Sequence, residues 1–518
     1  EVTGGDAFLH KNLKDNTNLA TWDGELYLEM HRGTFTTKSN LKKANRTLEF
    51  KLRETELRAA LASLTGTSYP SEELTECYKK FLLNQFHDIL PGSHIHPVYE
   101  DAMNDYRSVS ERLDAMLALT AGNEYFNSLN FTRSSITFIE DENGAITRHG
   151  VKGFWSIPTL AGLSTGTVAA LPSKENWLST EFCDKCDCLV LETPYYRAKL
   201  SSDGSFVSLY DKELDREWVK EGCGFNKLHL YADNPGVYDA WDILPNYKDV
   251  QVALNVDKPL ALVSSDGSSA EFAVTFTTEK STWKMILRFF ADSRAIEVEN
   301  VVDWDEKHKL VKVNFGPDVL TRELVCDTSA GFVKRDLTKN TSWQQARFEV
   351  CHHKWCDMSE SGSGIAIINE GKYGVGLEKD EISLSLLRAT IRPDITSDIG
   401  HHDFCYTILP HSGDAVEAQV NKTAIEYNVP LCKSNVTVPA ALRDTLNNCG
   451  LYLQAMKRSE DGQYLILRLS EQDGRRGKIA FPFEVQTMNL IEDIEGSTKV
   501  VSYHPFELIT VAVKPEDL

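Results

Sequence analysis

Apolar positions between Asn45 and about Gly122 recur at helical spacing, and beyond about residue 125 the period falls to two. In the first stretch Leu48 and Leu52 lie one turn apart, and Leu57, Leu61 and Leu64 continue at steps of four and three. A second segment, Ser71 to His87, gathers Leu74, Tyr78, Phe81 and Leu82 on one face, with Ser71 predicted as its N-cap after Pro70. A third is predicted to start at Pro97, a favoured first helical residue, and carries Ala102, Tyr106, Val109, Leu113 and Met116. Three amphipathic segments with short connections predict an antiparallel helical bundle.

The remainder reads as strands. Trp283, Met285, Leu287 and Phe289 alternate with Lys284 and Arg288; Asp292-Ser293 then turns the chain into Ile296 and Val298, set against Glu297 and Glu299. Ser202-Asp203-Gly204, between Tyr196–Leu200 and Phe206–Tyr210, predicts a hairpin turn, as does Asp461-Gly462, between Leu451–Met456 and Tyr464–Leu469. A chain of 518 residues written this way predicts an α+β multidomain protein: a three-helix bundle followed by a large antiparallel β-sandwich region.

Composition removes several function classes. With Lys+Arg 55 against Asp+Glu 76 the net charge is −21, which argues against a nucleic-acid partner. No apolar run approaches the ~18 residues of a membrane span, so no membrane partner is expected. The opening Glu1-Val2-Thr3-Gly4-Gly5 has neither a basic nor an apolar leader, the start expected of a processed chain or of a piece of a longer one. Eleven scattered cysteines fit reduced thiols better than a disulfide framework. The sequons at Asn45, Asn130, Asn340, Asn421 and Asn435 barely exceed the about three expected by chance, so they do not assign the chain to the secretory path.

His87-Asp88, ahead of Pro91-Gly92, could present a metal ligand and a hydrogen-bond acceptor together; the residues alone equally allow a capping or solvated pair. Cys183, Cys186 and Cys188 have thiol spacing without a second ligand pair. Cys351, His352, His353 and Cys356 fall in strand text, where neighbours point to opposite faces. Neither set is expected to hold a metal. Asp239, Trp241 and Asp242 form an acidic-aromatic cluster of the composition found at sugar sites, or else a packed loop.

The segment Gln85-Phe86-His87-Asp88-Ile89-Leu90-Pro91-Gly92-Ser93 resembles the His-Asp segment of glycoside hydrolase family 38, the α-mannosidases. Trp22 to Thr34 resembles the passage from that family's catalytic domain into its three-helix bundle. Ser208–Leu214, Tyr238–Ile243, Asn340–Trp343, Ala346–Val350 and Ser385–Arg388 follow in family order. The likeness is greatest to the cytosolic and vacuolar subgroup. It implies residues 1–43 as the end of an α/β catalytic domain, 44–125 as the bundle, 126–430 as a β-sandwich super-domain and 431–518 as a C-terminal β-sandwich.

The resemblance further implies His87 as a zinc ligand, with cobalt a reasonable substitute, and Asp88 as a carboxylate contacting mannose. Trp22 would line the pocket, Asp239 and Asp242 would border it, and Arg388 would reach its rim, unless Arg388 forms a buried pair with a carboxylate. The other zinc ligands, the nucleophile and the general acid are implied upstream of residue 1, so no catalytic residue is assigned here. The implied reaction is hydrolysis, with retention, of terminal α-mannose from mannose-containing oligosaccharides, needing two carboxyls about 5–5.5 Å apart. This chain alone would be inactive. The implied setting is cytoplasmic, with vacuole or lysosome as the alternative, and a homo-oligomer is allowed. The rival reading is a non-catalytic carbohydrate-binding or structural β-sandwich protein.

Overall fold

The computed structural model describes residues 4–14 and 18–518; the opening Glu1-Val2-Thr3 lies outside them. Among the described residues four α-helices precede the β region: α1 (Gly5–Leu13), α2 (Ser39–Ser63), α3 (Ser71–Leu83) and α4 (His96–Ala118). Helix α1 buries no residue. Helices α2, α3 and α4 form the expected bundle around Leu41, Leu48, Leu52, Leu74, Phe81, Tyr106 and Leu113. Beyond Leu52, helix α2 changes partners. Its Leu57 and Leu61 enter the core of the C-terminal sheet with Leu453, Met456 and Leu467.

Two helix starts differ from expectation. Ser71 is the first helical residue and Pro70 the N-cap, with no side-chain capping bond because proline carries no side-chain acceptor; the Leu74 amide donates to the Pro70 carbonyl. Helix α4 starts one residue before Pro97, with Ile95 as its cap.

Every strand pairing among the described residues is antiparallel, as the period of two and the hairpin turns predict. A nine-stranded sheet built from residues 255–412 faces a six-stranded sheet built from residues 225–389. Phe272, Trp283, Met285 and Leu287 of the first meet Leu230, Val311, Val313 and Leu384 of the second in one core. Tyr196, Phe206 and Leu209 of a five-stranded sheet join that core. The last five strands, between Tyr452 and Val513, form a separate sheet over Leu57 and Leu61. Both predicted hairpins form, with Gly204 and Gly462 at φ +76° and +73°.

The polar face of the 282–304 hairpin reaches solvent at Thr282 and Lys284 but is covered further along. Arg288, Glu297 and Glu299 are all buried. Arg288 pairs with Glu271, Glu297 and Glu299 at 2.6, 2.9 and 2.5 Å. A small sheet between Thr137 and Ser156 covers them, with Trp155 edge-on to Phe290. Alternation therefore gave the right faces, but a second layer turned the polar one into an ionic interior. Three sequon asparagines, Asn45, Asn130 and Asn421, are buried too, which closes them to glycosylation in the folded chain.

Candidate functional site

Helix α3 ends at Leu83, and single-turn bonds carry the chain through residues 85–92: Phe86 N to Leu83 O, Ile89 N to Phe86 O and Gly92 N to Ile89 O. This turn holds His87 outward, its side chain 76% exposed, with Nε2 at 3.6 Å from Asp88 Oδ2. Ser93 Oγ donates to the other Asp88 oxygen at 3.0 Å and leaves Oδ2 available. The Phe86 ring lies 4.2 Å from the imidazole.

The turn is fixed from beneath by a residue that sequence reasoning missed. Lys42, buried on α2, donates its ammonium to Thr37 O (2.5 Å), Leu90 O (2.9 Å) and Pro91 O (3.2 Å). Burial draws its pKa down to about 7, against the pull of Asp398. Gly92 allows the close approach: its φ is +86°, and a Cβ there would lie 2.6 Å from Thr37 O. Nothing in the sequence separates Lys42 from a solvated helix lysine, because its acceptors are backbone carbonyls distant along the chain.

Thr37 also ties in the second group. Its hydroxyl, with one proton to donate, is shared between Gly33 O (2.9 Å) and Ala240 O (3.0 Å). Arg388 is wholly buried; its Nε donates to Asp233 Oδ2 at 2.6 Å and its Nη1 to Thr37 Oγ1 at 3.2 Å. Its Nη2 donates to the Asp242 carbonyl. The guanidinium is thus consumed in holding residues 239–242 against Gly33, whose Cβ-less backbone makes room for it. Asp239 is buried as well: Oδ2 accepts from Ile391 N at 2.6 Å, and burial raises its pKa. Asp242 is partly exposed and faces Arg32, with Nη1 to Oδ1 at 3.5 Å.

Trp22 lies in a surface cleft. It is 48% exposed, its ring centre 5.3 Å from that of Trp343, itself 61% exposed. Tyr27, Leu28 and Arg347 complete a cavity of about 370 Å³. Two tilted indoles at this spacing offer faces on which a pyranose ring can stack.

The cysteine-containing clusters separate. Cys186, in the turn that follows Cys183, and Cys188, two positions on with its Cα 5.4 Å away, are joined as a disulfide, one exception to the reduced thiols expected. Nine cysteines are free. His352 contacts Tyr373 O and Asn369, whereas His353 contacts Arg46.

Among the described residues, one group has three metal-type donors within reach of one another: His149, Glu370 and Cys405. It is already closed ionically. His149 Nε2 lies 2.7 Å from Glu370 Oε1 and Nδ1 lies 3.0 Å from Asp403 Oδ2, while Arg148 and Lys43 serve the same carboxylates. Although burial opposes it, the surrounding negative groups lift the His149 pKa to about 12 and burial raises that of Cys405 to about 11. A cation would have to displace protons from both. At the His87 turn this chain offers one imidazole and one carboxylate, which suits a contribution to a four-ligand zinc site completed from elsewhere.

Three consecutive segments match a single family. Residues 29–122 match the alpha mannosidase middle domain, 191–396 the glycosyl hydrolases family 38 C-terminal domain, and 450–511 the family 38 C-terminal beta sandwich domain. The chain belongs to glycoside hydrolase family 38. It is 31% identical over 487 residues to human Alpha-mannosidase 2C1, covering 89% of this chain and 46% of that protein. Against Alpha-mannosidase of Saccharomyces cerevisiae it is 30% identical over 442 residues, 81% of this chain and 38% of that one. The chain therefore spans less than half the length of these two relatives. An alpha-mannosidase structure from Enterococcus faecalis superposes with a TM-score of 0.77 at 13% identity, over 99% of this chain and 72% of that one, and so has the same fold.

Proposed function

We propose that this chain is the bundle-and-sandwich portion of a zinc-dependent α-mannosidase, and that it contributes His87 as a metal ligand and Asp88 as a sugar contact. The observation that carries the reading is the exposed His87-Asp88 pair, held outward by Lys42 and Gly92 within the segment matching the α-mannosidase middle domain. The remaining ligands, the nucleophile and the general acid come from residues outside this chain. Zinc, for which cobalt substitutes, would supply Lewis-acid binding of sugar hydroxyls. Asp88 Oδ2 accepts a mannose hydroxyl, and Asp242 and Trp22 border the sugar. Asp239 and Arg388, being buried, act by fixing the 239–242 loop.

The substrate class is mannose-containing oligosaccharide with terminal α-mannose, cleaved with retention in the cytoplasm. The proposed division of the chain is 1–43, 44–125, 126–430 and 431–518. The purified chain should show no turnover of an aryl α-mannoside with added zinc or cobalt, because no two carboxyls here are assigned as nucleophile and acid. In a complete enzyme carrying this region, His87→Ala should remove stoichiometric zinc and abolish turnover. Asp88→Asn should keep the metal and lose about 10²-fold in kcat/KM. Retention of stoichiometric zinc and normal turnover by His87→Ala would sink the assignment. A second reading, glycan binding by the chain alone, is favoured by the Trp22–Trp343 cleft. It predicts that the isolated chain binds mannose oligosaccharides and that Trp343→Ala loses them.

A further inference from the structure

Where α2, the 85–90 turn, the nine-stranded sheet and the C-terminal sheet meet, they enclose a cavity of about 290 Å³. Its walls carry three cations, Arg46, Arg53 and Lys354, against one carboxylate, Glu49, in a chain whose overall charge is −21. Arg46 pairs with Glu49 at 2.9 Å, and Lys354 pairs behind the wall with Asp327 at 2.7 Å. Arg53 has no carboxylate partner among the described residues. It donates to Leu453 O (2.9 Å), Ser128 O (3.1 Å) and Ser128 Oγ (3.3 Å), none of them charged. Burial, and then the Arg46 charge, hold His353 at about 2, so it stays neutral and leaves the cationic surplus to the other three.

Part of the wall is apolar and aromatic, where Phe50, Leu129, Phe131, Ile425 and Tyr452 form one packed cluster, and neutral polar groups such as Asn45, Asn130, Gln454 and Gln472 line the remainder. Three cations and an apolar cluster lining one space, near the lower size limit for small-molecule sites, suit an amphipathic anion. We propose that this junction cavity binds a small organic oxyanion, a carboxylate or phosphate monoester with an apolar body, through Arg46, Arg53 and Lys354. The claim is independent of the mannosidase reading, since none of these three residues is placed in the sugar or metal machinery.

The test is calorimetric titration of the 518-residue chain with phenyl phosphate, inorganic phosphate and phenol at constant ionic strength. Phenyl phosphate should saturate with a Kd of about 1 mM or tighter, and phenol should bind much more weakly. Inorganic phosphate binding as tightly as phenyl phosphate would assign the site to the free ion and overturn the organic ligand. Two variants that leave all three cations in place fix the location. Glu49→Gln removes the half-exposed carboxylate that competes for Arg46 and should tighten binding about fivefold. Gln454→Glu adds a carboxylate to the wall without changing its size and should weaken binding about fivefold or more. Absence of saturation by phenyl phosphate, or affinities unchanged in both variants, would refute the site.

Discussion

His149→Asn isolates the buried ionic cluster from the backbone that carries it. His149 and Gly150 occupy the tip of the hairpin joining Ile146–Arg148 to Val151–Ser156, at φ +49° and +74°. Asn-Gly is the preferred pair for two successive left-handed residues, so the substitution leaves the turn at least as well formed. What it removes is a cation within 3.0 Å of Glu370 and Asp403 and 3.5 Å from Glu299. Deleting one member of a buried ion pair costs about 3–5 kcal/mol. Arg148 and Lys43 still neutralise Glu370 and Asp403, so the expected loss lies lower, at about 2–3 kcal/mol near pH 6. The pH dependence provides the signature. The folded pKa of His149 is raised to about 12, so its contribution is complete below the unfolded value near 6.5 and declines as pH rises towards 12. The advantage of the native chain should therefore shrink above pH 6.5, and at about 1.4 kcal/mol per unit most of a contribution of about 2–3 kcal/mol is lost within about two units. Because several cores rule out a simple two-state analysis, amide exchange across residues 146–156 is the appropriate measurement. Equal protection at pH 6, or a difference that stays constant from pH 6.5 to 9, would refute the charge reasoning.

Lys42→Met should strand the Leu90 and Pro91 carbonyls, destabilise the turn by about 1–3 kcal/mol and speed exchange of the Ile89 and Gly92 amides while the C-terminal sheet stays protected. Gly92→Ala should lower the thermal midpoint through a left-handed φ and a Cβ clash, together worth about 1–3 kcal/mol. Glu370 and Asp403 have folded pKa values well below the carboxylate range, Glu370 because the His149 and Arg148 charges outweigh its burial, and Asp403 through its hydrogen bond to His149. Their stabilisation is present above the unfolded value of about 4 and is lost as pH falls below it. Circular dichroism on acidification should therefore show a shallower loss for His149→Asn than for the native chain.

The periodicities made the bundle, the antiparallel sheets and both hairpins legible, because each rests on local spacing and turn chemistry. The first six residues of α2 escaped that reading. Ser39-Asn40-Leu41-Lys42-Lys43-Ala44 has one strong apolar position, and its helical start depends on Asp398, which accepts from the Lys38 and Ser39 amides at 2.7 Å. Arg288, Glu297 and Glu299 read only as the polar alternation of two strands, because nothing local announces the sheet that covers them. For the candidate site, His87 and Asp88 became legible through a motif. The roles of Thr37 and Lys42 did not, since their partners lie up to 351 positions away.

The candidate residues divide by exposure, and the division constrains what each can do. His87, Asp88 and Trp22 reach solvent, whereas Asp239 and Arg388 do not. A guanidinium that is wholly buried, with donors on Asp233, Thr37 and the Asp242 carbonyl, does not reach the surface where a ligand would lie. It can influence the surface only through what it holds. Thr37 is the point of transfer: its hydroxyl meets Arg388 and Ala240, and its carbonyl accepts from Lys42, which in turn grips Leu90 and Pro91. The 239–242 loop from the β region and the His87 turn from the bundle thus share one anchor, though about 150 residues separate them in sequence. The buried polar residues between them tie the two loops into one surface.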